Sequence, residues 1–335
     1  MRREVDMKHW SQYWQGSNAL SSFAEGDAGQ GYDGEVRAFW HFHLKDLDDD
    51  AVVVDVGTGN GALAVLAAEF AEQNKKNWTI HGVDAADINP TEYLRAPAPI
   101  KKLLGKVTFH GNTDMAKLPF DDNSIDCVLS QFALEYADKK AAVKEIMRVL
   151  KPGGKLVIMA HHASSSLVKD SETGIRIFDY ALNQTPLFMQ ADLLVRIGHE
   201  IMKHGSYNAW KASQHGQATE KTTMFLMNML RERFAKDEER VWLDDIITRV
   251  ANIVAPVKSV EMAEKAMEAL AYHYDLLQSH LQRVKDQVNA ALTEKEVKAL
   301  IKASGKASKQ NDHSEFMFED EAFAWAIEIV KSSDS

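Results

Sequence analysis

Between Val52 and Phe70 the apolar pattern changes its period. Val52-Val53-Val54, with Asp55 and Val56, is a short β-branched run; Gly57-Thr58-Gly59-Asn60-Gly61 follows, and then Ala62, Leu63, Val65, Leu66 and Phe70 recur at helical spacing. This predicts a buried parallel strand, a tight turn and a helix. Further strands are predicted at Trp78–Val83, ending on Asp84, at Val107–His110, at Ile125–Ser130 and at Lys155–Ala160. Pro90, Pro97 and Pro99 break regular structure between the second and third of these. Helices are predicted from Glu35 to Leu47 and after Asp138, a capping carboxylate for the apolar face Ala142, Val143, Ile146, Val149 and Leu150. Thr293-Glu294-Lys295-Glu296 is a capping box opening a helix through Val297, Leu300 and Ile301 that closes at Gly305. Phe316-Met317-Phe318 and the alternation Phe323, Trp325, Ile327, Ile329 read as strand. Strands alternating with helices predict an α/β fold.

Residues 165–292 break that rhythm and are almost wholly helical in pattern. Met224, Phe225, Leu226, Met227, Met229, Leu230 and Phe234 form a methionine-rich apolar segment, suited to core or to an adaptable pocket. Val260, Ala263, Met267, Leu270, Tyr274, Leu277, Leu281, Val284 and Val288 form a heptad seam that needs a partner helix, from this insertion or from a second subunit. At the other end, residues 7–45 scatter Trp10, Tyr13, Trp14, Phe23, Tyr32, Phe39 and Trp40 among polar residues, around a Gly26–Gly34 loop. They read either as an arm over a ligand crevice, with Tyr13 or Trp14 covering the ligand and Arg37 near a carboxylate on it, or as packing of a leading helix.

Composition narrows the class. At 335 residues, 45% hydrophobic and 26% charged, the chain has the profile of an ordinary globular protein with ample core. A formal charge of −10 argues against a dedicated nucleic-acid binder. Cys127 is alone, so no internal disulfide forms and a reducing compartment fits. No apolar h-region follows the first residues and no run approaches membrane-spanning length, so no membrane role and a cytoplasmic location are expected. His41-Phe42-His43 lacks further ligands for a metal, and no metal site is expected.

The glycine turn carries the chemistry, and two ligand classes compete for it. Gly57, Gly59 and Ala62 can be aligned with a dinucleotide pattern, with Asp84 as the ribose acid. Read instead as D-x-G-x-G-x-G from Asp55, the turn places an acid where it would repel a pyrophosphate and suit an ammonium or sulfonium. This second pattern resembles motif I of the class I S-adenosylmethionine (SAM) methyltransferases. Asn112-Thr113-Asp114-Met115-Ala116-Lys117-Leu118-Pro119-Phe120, followed by Ile125-Asp126-Cys127-Val128, is similar to a block of the ubiquinone-biosynthesis type of that family, with Asn112-Thr113 where the family has glycine. Arg148-Val149-Leu150-Lys151-Pro152-Gly153-Gly154-Lys155-Leu156 resembles its R-x-L-K-P-G-G-x-L block, and is the most specific match.

The resemblance spans 51–160 strongly and 293–331 more weakly, and implies a Rossmann-like methyltransferase core whose last strands run antiparallel. It implies a domain division into an N-terminal arm (1–48), a SAM-binding core (49–164 and 293–335) and a helical cap insertion (165–292). The implied SAM contacts are Asp55, Gly57, Thr58, Gly59 and Gly61 in the turn and Asp84 and Ala85 after the second strand. Asp114 would accept the adenine amino group beside Met115, and Ser130, Gln131 and Phe132 would line the methionine part. The implied reaction is in-line transfer of a methyl group to a small-molecule O, N or C acceptor. The alternatives are a protein or peptide acceptor, and a non-catalytic SAM-binding scaffold recruiting a partner through its insertion. Where the acceptor arrives protonated, His161 or His162 would be the base, with Glu135 and Tyr136 as weaker candidates. A homodimer through the 260–288 helix is a further expectation.

Overall fold

The computed structural model describes residues 7–21 and 31–333. Phe23, most of the Gly26–Gly34 loop and the first six residues lie outside them. The chain divides into two compact units, one running to Val168 and resuming at Asn289, the other Lys169–Val288. The division falls a few residues inside the expected 165–292, and the N-terminal segment groups with the first unit.

The first unit begins with α1 (Lys8–Gly16) and α2 (Gly34–Leu44), then β1 (Val52–Val56), α3 (Ala62–Gln73), β2 (Thr79–Val83), the short α4 (Pro90–Tyr93) and α5 (Ala98–Leu104). It continues with β3 (Val107–His110), β4 (Ile125–Gln131), α6 (Lys139–Val149) and β5 (Leu150–His161). The chain enters the second unit within α7 (Ser166–Asp179), whose end winds into a π-helical turn, Tyr180–Gln184. There follow α8 (Leu187–His204), α9 (Tyr207–Ala212), α10 (Gln214–Arg233), α11 (Asp237–Val254) and α12 (Val260–Ala290). Back in the first unit, α13 (Glu294–Ala303) precedes β6 (Ser308–Phe318) and β7 (Glu321–Lys331).

The seven strands form one sheet in the order β3-β2-β1-β4-β5-β7-β6. β1 to β5 pair in parallel, and β7 is antiparallel to both β5 and β6. The fold is therefore the expected Rossmann-like one. Each face of the sheet is covered, which is why β1 is apolar throughout except for its acid. Val53, Cys127, Leu129, Val157 and Met159 pack with α2, α3 and α5 on one face. Val54, Val56, Val128, Ile158 and Ala160 pack with α6 and α13 on the other. Ala62, Ala64, Ala67, Ala68 and Ala71 are all buried in α3, so small side chains let that helix sit close to the sheet.

Both predicted caps form. Asp138 accepts from the Ala141 amide, and Thr293 and Glu296 make the reciprocal capping box. Thr293→Ala should lower unfolding free energy by about 1 kcal/mol, read from the denaturant midpoint at unchanged slope.

In the second unit, Ala263, Leu270, Leu277 and Leu281 of α12 are buried against α7, α8, α10 and α11, with Met267 and Tyr274 packed beside them. The heptad seam thus finds partner helices in its own chain. The methionine-rich segment of α10 splits by face: Leu226 and Leu230 are core, whereas Met224 and Phe225 are exposed.

Candidate active site

The site sits at the carboxyl ends of β1, β2 and β4, the crevice where open α/β sheets bind ligands. Gly57, Gly59 and Gly61 all take left-handed backbone, with φ of 72°, 53° and 91°. A side chain at Gly57 would lie 2.1 Å from the Ala133 Cβ, and one at Gly59 would lie 2.4 Å from the Trp14 indole. Glycine is therefore required twice over, by conformation and by space.

Four of the turn's five amides are already committed. Gly57 N and Thr58 N donate to Val83 O at 2.7 and 3.0 Å, and Gly61 N donates to Thr58 O at 2.8 Å. Gly59 N donates to the Asp84 carboxylate at 2.8 Å, whose other oxygen accepts from Ala86 N at 2.8 Å. Asp55 accepts from the Thr58 hydroxyl at 2.6 Å and from Ala64 N, in the first turn of α3, at 3.2 Å. A pyrophosphate needs free N–H groups at such a helix start. Here two backbone carbonyls hold three of them and the protein's own carboxylates hold Gly59 N and Ala64 N.

Both acids are buried. Burial pushes the Asp55 carboxyl up to about 7, with Thr58 and Ala64 pulling it down and Asp84 adding a smaller upward push. Burial also raises Asp84, against the amides of Ala86 and Gly59. Ala85 is exposed beside it. Next to this pair runs the turn after β3, tied on by Thr113 N to Asp84 O at 2.8 Å and Asn112 N to Ala86 O at 3.0 Å. Asn112, standing where glycine is usual, takes φ of 53°, a conformation asparagine tolerates better than most residues. Asp114 is exposed and accepts from Ala116 N at 2.9 Å. Met115 reaches toward the glycine turn, with its Cε 3.8 Å from a Cβ built at Gly57.

The end of β4 supplies the third wall. Ser130 is fully buried and accepts from Leu134 N at 3.1 Å. Gln131 Oε1 accepts from Trp40 Nε1 at 2.5 Å. Tryptophan can only donate, so the amide orientation is fixed, and Gln131 Nε2 is left as a buried donor without a partner among the described residues. Phe132 takes φ of 51°, and its ring centroid lies 4.3 Å from that of His161.

The two histidines part company. His161 Nδ1 and its backbone N both contact Glu135 Oε1, at 2.7 and 2.9 Å, and Glu135 Oε2 is buried with no partner among the described residues. His162 faces the other side of β5. Its ring lies 4.6 Å from that of Trp325, its Nε2 3.3 Å from Glu315, and its Nδ1 accepts from Ser164 N. His162 thus ties β5 to the C-terminal hairpin and does not reach the β4 wall. His161 alone stands against the expected cofactor-lining residues.

The arm is also split in its outcome. Trp14 lies on Gly59, and α1 is fixed there by Asn60 Nδ2 donating to Trp14 O and Ala19 O at 3.1 and 2.8 Å. Gln15 donates to Asp87 O at 2.9 Å, and Asp87 N donates to the Ser11 hydroxyl at 3.0 Å. Arg37, expected near a ligand carboxylate, instead pairs with Glu69 of α3 at 2.8 Å. Sequence reasoning missed Asn60, Trp40 and Asp87 as parts of the site. Only Asn60, inside the glycine turn, carried a positional signal. Among the described residues no helix is long and apolar enough to cross a membrane, and no group of three or more His, Cys, Asp or Glu is placed to hold a metal.

Residues 54–158 match the family described as Methyltransferase domain. The ubiquinone/menaquinone biosynthesis C-methyltransferase UbiE of Cronobacter sakazakii is 27% identical over 180 residues, 52% of this chain and 64% of that protein. The protein of the same name from Pseudomonas paraeruginosa is 42% identical over 117 residues, 34% of this chain and 43% of that one. The chain thus spans less than two thirds of the length of either relative. The solved YcgJ protein from Bacillus subtilis is similar at 24% identity and a TM-score of 0.31, covering 42% of this chain and 58% of that one. Residues 54–158 thus match a methyltransferase domain family, and the strand order and glycine turn around them are those of the expected Rossmann-like fold.

Proposed function

We propose that the chain transfers the methyl group of SAM to a small-molecule acceptor carrying an acidic O–H, N–H or C–H. The observation that carries this reading is the pair of buried acids, Asp55 and Asp84, that take the Ala64 and Gly59 amides at the start of the helix. An anionic crevice favours a cationic ligand and disfavours a dinucleotide.

The residues present fit SAM. Asp84 would hold the ribose hydroxyls with the lone pairs its two amide contacts leave, and Asp114 with Met115 the adenine. The unpartnered Gln131 Nε2 suits the carboxylate of the methionine part, and the glycine turn with Trp14 bounds the crevice. SAM supplies an activated methyl on a sulfonium, so the protein need form no covalent intermediate. Its task is to hold two reactants in line away from water, an effect that reaches roughly 7–11 kcal/mol in favourable cases.

His161 is the proton acceptor in this reading. Glu135 Oε1 takes the Nδ1–H, which fixes the tautomer and leaves Nε2 as the acceptor atom. Nε2 makes no hydrogen bond among the described residues. Phe132 and Tyr136 flank the imidazole and exclude water from it.

Incubating the chain with methyl-labelled SAM and size-fractionated cell extract tests the proposal. Label in the small-molecule fraction is expected. Label confined to protein would reassign the acceptor, and none in any fraction would leave a SAM-binding scaffold.

The buried acids also give the site a pH signature. A carboxyl raised by burial stabilises the fold only while protonated. The Asp55 contribution is thus full below the ordinary carboxylate range and is lost as pH rises to about 7. A bound cation favours the ionised form, so SAM affinity should rise with pH up to about 7, by no more than about tenfold per unit for one proton. Calorimetry across that range checks it, and in Asp55→Asn the slope should flatten.

A further inference from the structure

The helical unit has a cavity of its own, about 460 Å³, between α7, its π-helical turn, the end of α10 and α12. Its lining gathers three cations, Arg176, Arg233 and Lys285, with one carboxylate, Asp179, and the rings of Tyr180 and Phe234. The guanidinium of Arg233 lies 4.1 Å from the Tyr180 ring centroid and 5.8 Å from that of Phe234. It makes no ion pair among the described residues. Arg176 lies 5.5 Å from the Phe234 centroid and gives one N–H group to Glu239 at 2.6 Å, leaving the rest of its fork uncommitted to a carboxylate.

Asp179 does not cancel this charge. Its two oxygens accept from Asn183 Nδ2 at 3.0 Å and Gln184 Nε2 at 2.9 Å, and Lys285 stands 3.7 Å away. Those amides, then the lysine, hold the carboxyl below the ordinary range, so it stays an occupied acceptor. Even with Glu239 counted beside Asp179, one positive charge remains in excess. Arginines held over rings keep their coplanar N–H groups preorganised for an oxyanion. The π-helical turn is the second observation. Such turns are rare overall but frequent at functional sites, and this one carries both Tyr180 and Gln184 to the cavity.

We propose that this cavity binds a small molecule bearing a carboxylate or phosphate on a flat apolar group, the anion at Arg233 and Arg176 and the flat group against Tyr180 and Phe234. The proposal is independent of the methyl-transfer reading, because every lining residue belongs to the helical unit.

Calorimetry on the full chain tests it with four probes: phenyl phosphate, benzoate, inorganic phosphate and benzyl alcohol. At least one aryl anion should bind at a single site, with the tighter of the two assigning the charged group. Inorganic phosphate should bind more weakly, and benzyl alcohol should give no heat. Arg233→Gln should weaken the aryl anion tenfold or more at unchanged far-ultraviolet circular dichroism. Lys285→Gln, at a half-exposed position, should weaken it as well and decides the matter if the arginine variant loses helix. No heat from either aryl anion, equal binding of benzyl alcohol, or affinity unchanged in both variants would overturn the proposal.

Discussion

Replacing His161 with alanine should cut the turnover of methyl transfer by about 10²–10⁴-fold, the range a positioned general base supplies. The histidine is buried, its Nδ1 is fixed on Glu135 and its ring lies against Phe132. A deletion therefore removes a positioned group and not a mobile one. Glu135→Gln should lose activity within the same range, because a glutamine can turn either an acceptor or a donor toward Nδ1 and no longer selects one tautomer. Both variants should bind S-adenosylhomocysteine as the parent does, since neither side chain is placed among the cofactor contacts. Label incorporation from SAM gives the turnover. An alanine variant with more than half the parental turnover would remove His161 from the reaction.

The second large effect is on binding. Asp84→Asn should weaken S-adenosylhomocysteine by roughly 10- to 100-fold, from the 1.5–3 kcal/mol at stake when a hydrogen bond to a charged group is lost. Asp84 accepts from Gly59 N with one oxygen and Ala86 N with the other. An asparagine can satisfy only one of them and must point its amide at the other donor. The glycine turn then shifts at the place where the cofactor meets it. Calorimetric titration measures the effect, and Asp114→Asn, at an exposed acid, should show a smaller one.

The reach of the sequence follows from the range of the forces involved. The strands of the core, the Asp138 cap and the capping box at Thr293 are local devices and were legible. So was the turn geometry, since Gly57, Gly59 and Gly61 need left-handed backbone whatever surrounds them. Boundaries were less so: β6 begins at Ser308, well before Phe316, and β5 begins at Leu150, because Leu150 pairs with Ile125 before the Pro152-Gly153-Gly154 excursion and Lys155 with Cys127 after it. The Glu135–His161 pair was not legible as a pair. It depends on the β4–β5 register, Gln131 opposite Met159, which carries the turn at Leu134–Tyr136 over the end of β5. The separation of His161 from His162 follows from the two-residue alternation of extended backbone, once β5 is known to run to His161 and His162 to bridge Leu292 beyond it. Arg37 shows the opposite limit, for nothing local marks Glu69 of another helix as its partner.

The most direct test of the central claim is a calorimetric titration of the purified chain with S-adenosylhomocysteine, SAM and NAD in parallel. Single-site binding of both sulfur nucleotides, with no heat from NAD, is the predicted result. Binding of NAD in their place, or no heat from either sulfur nucleotide, would contradict the claim that two buried carboxylates make this glycine turn a seat for a cation.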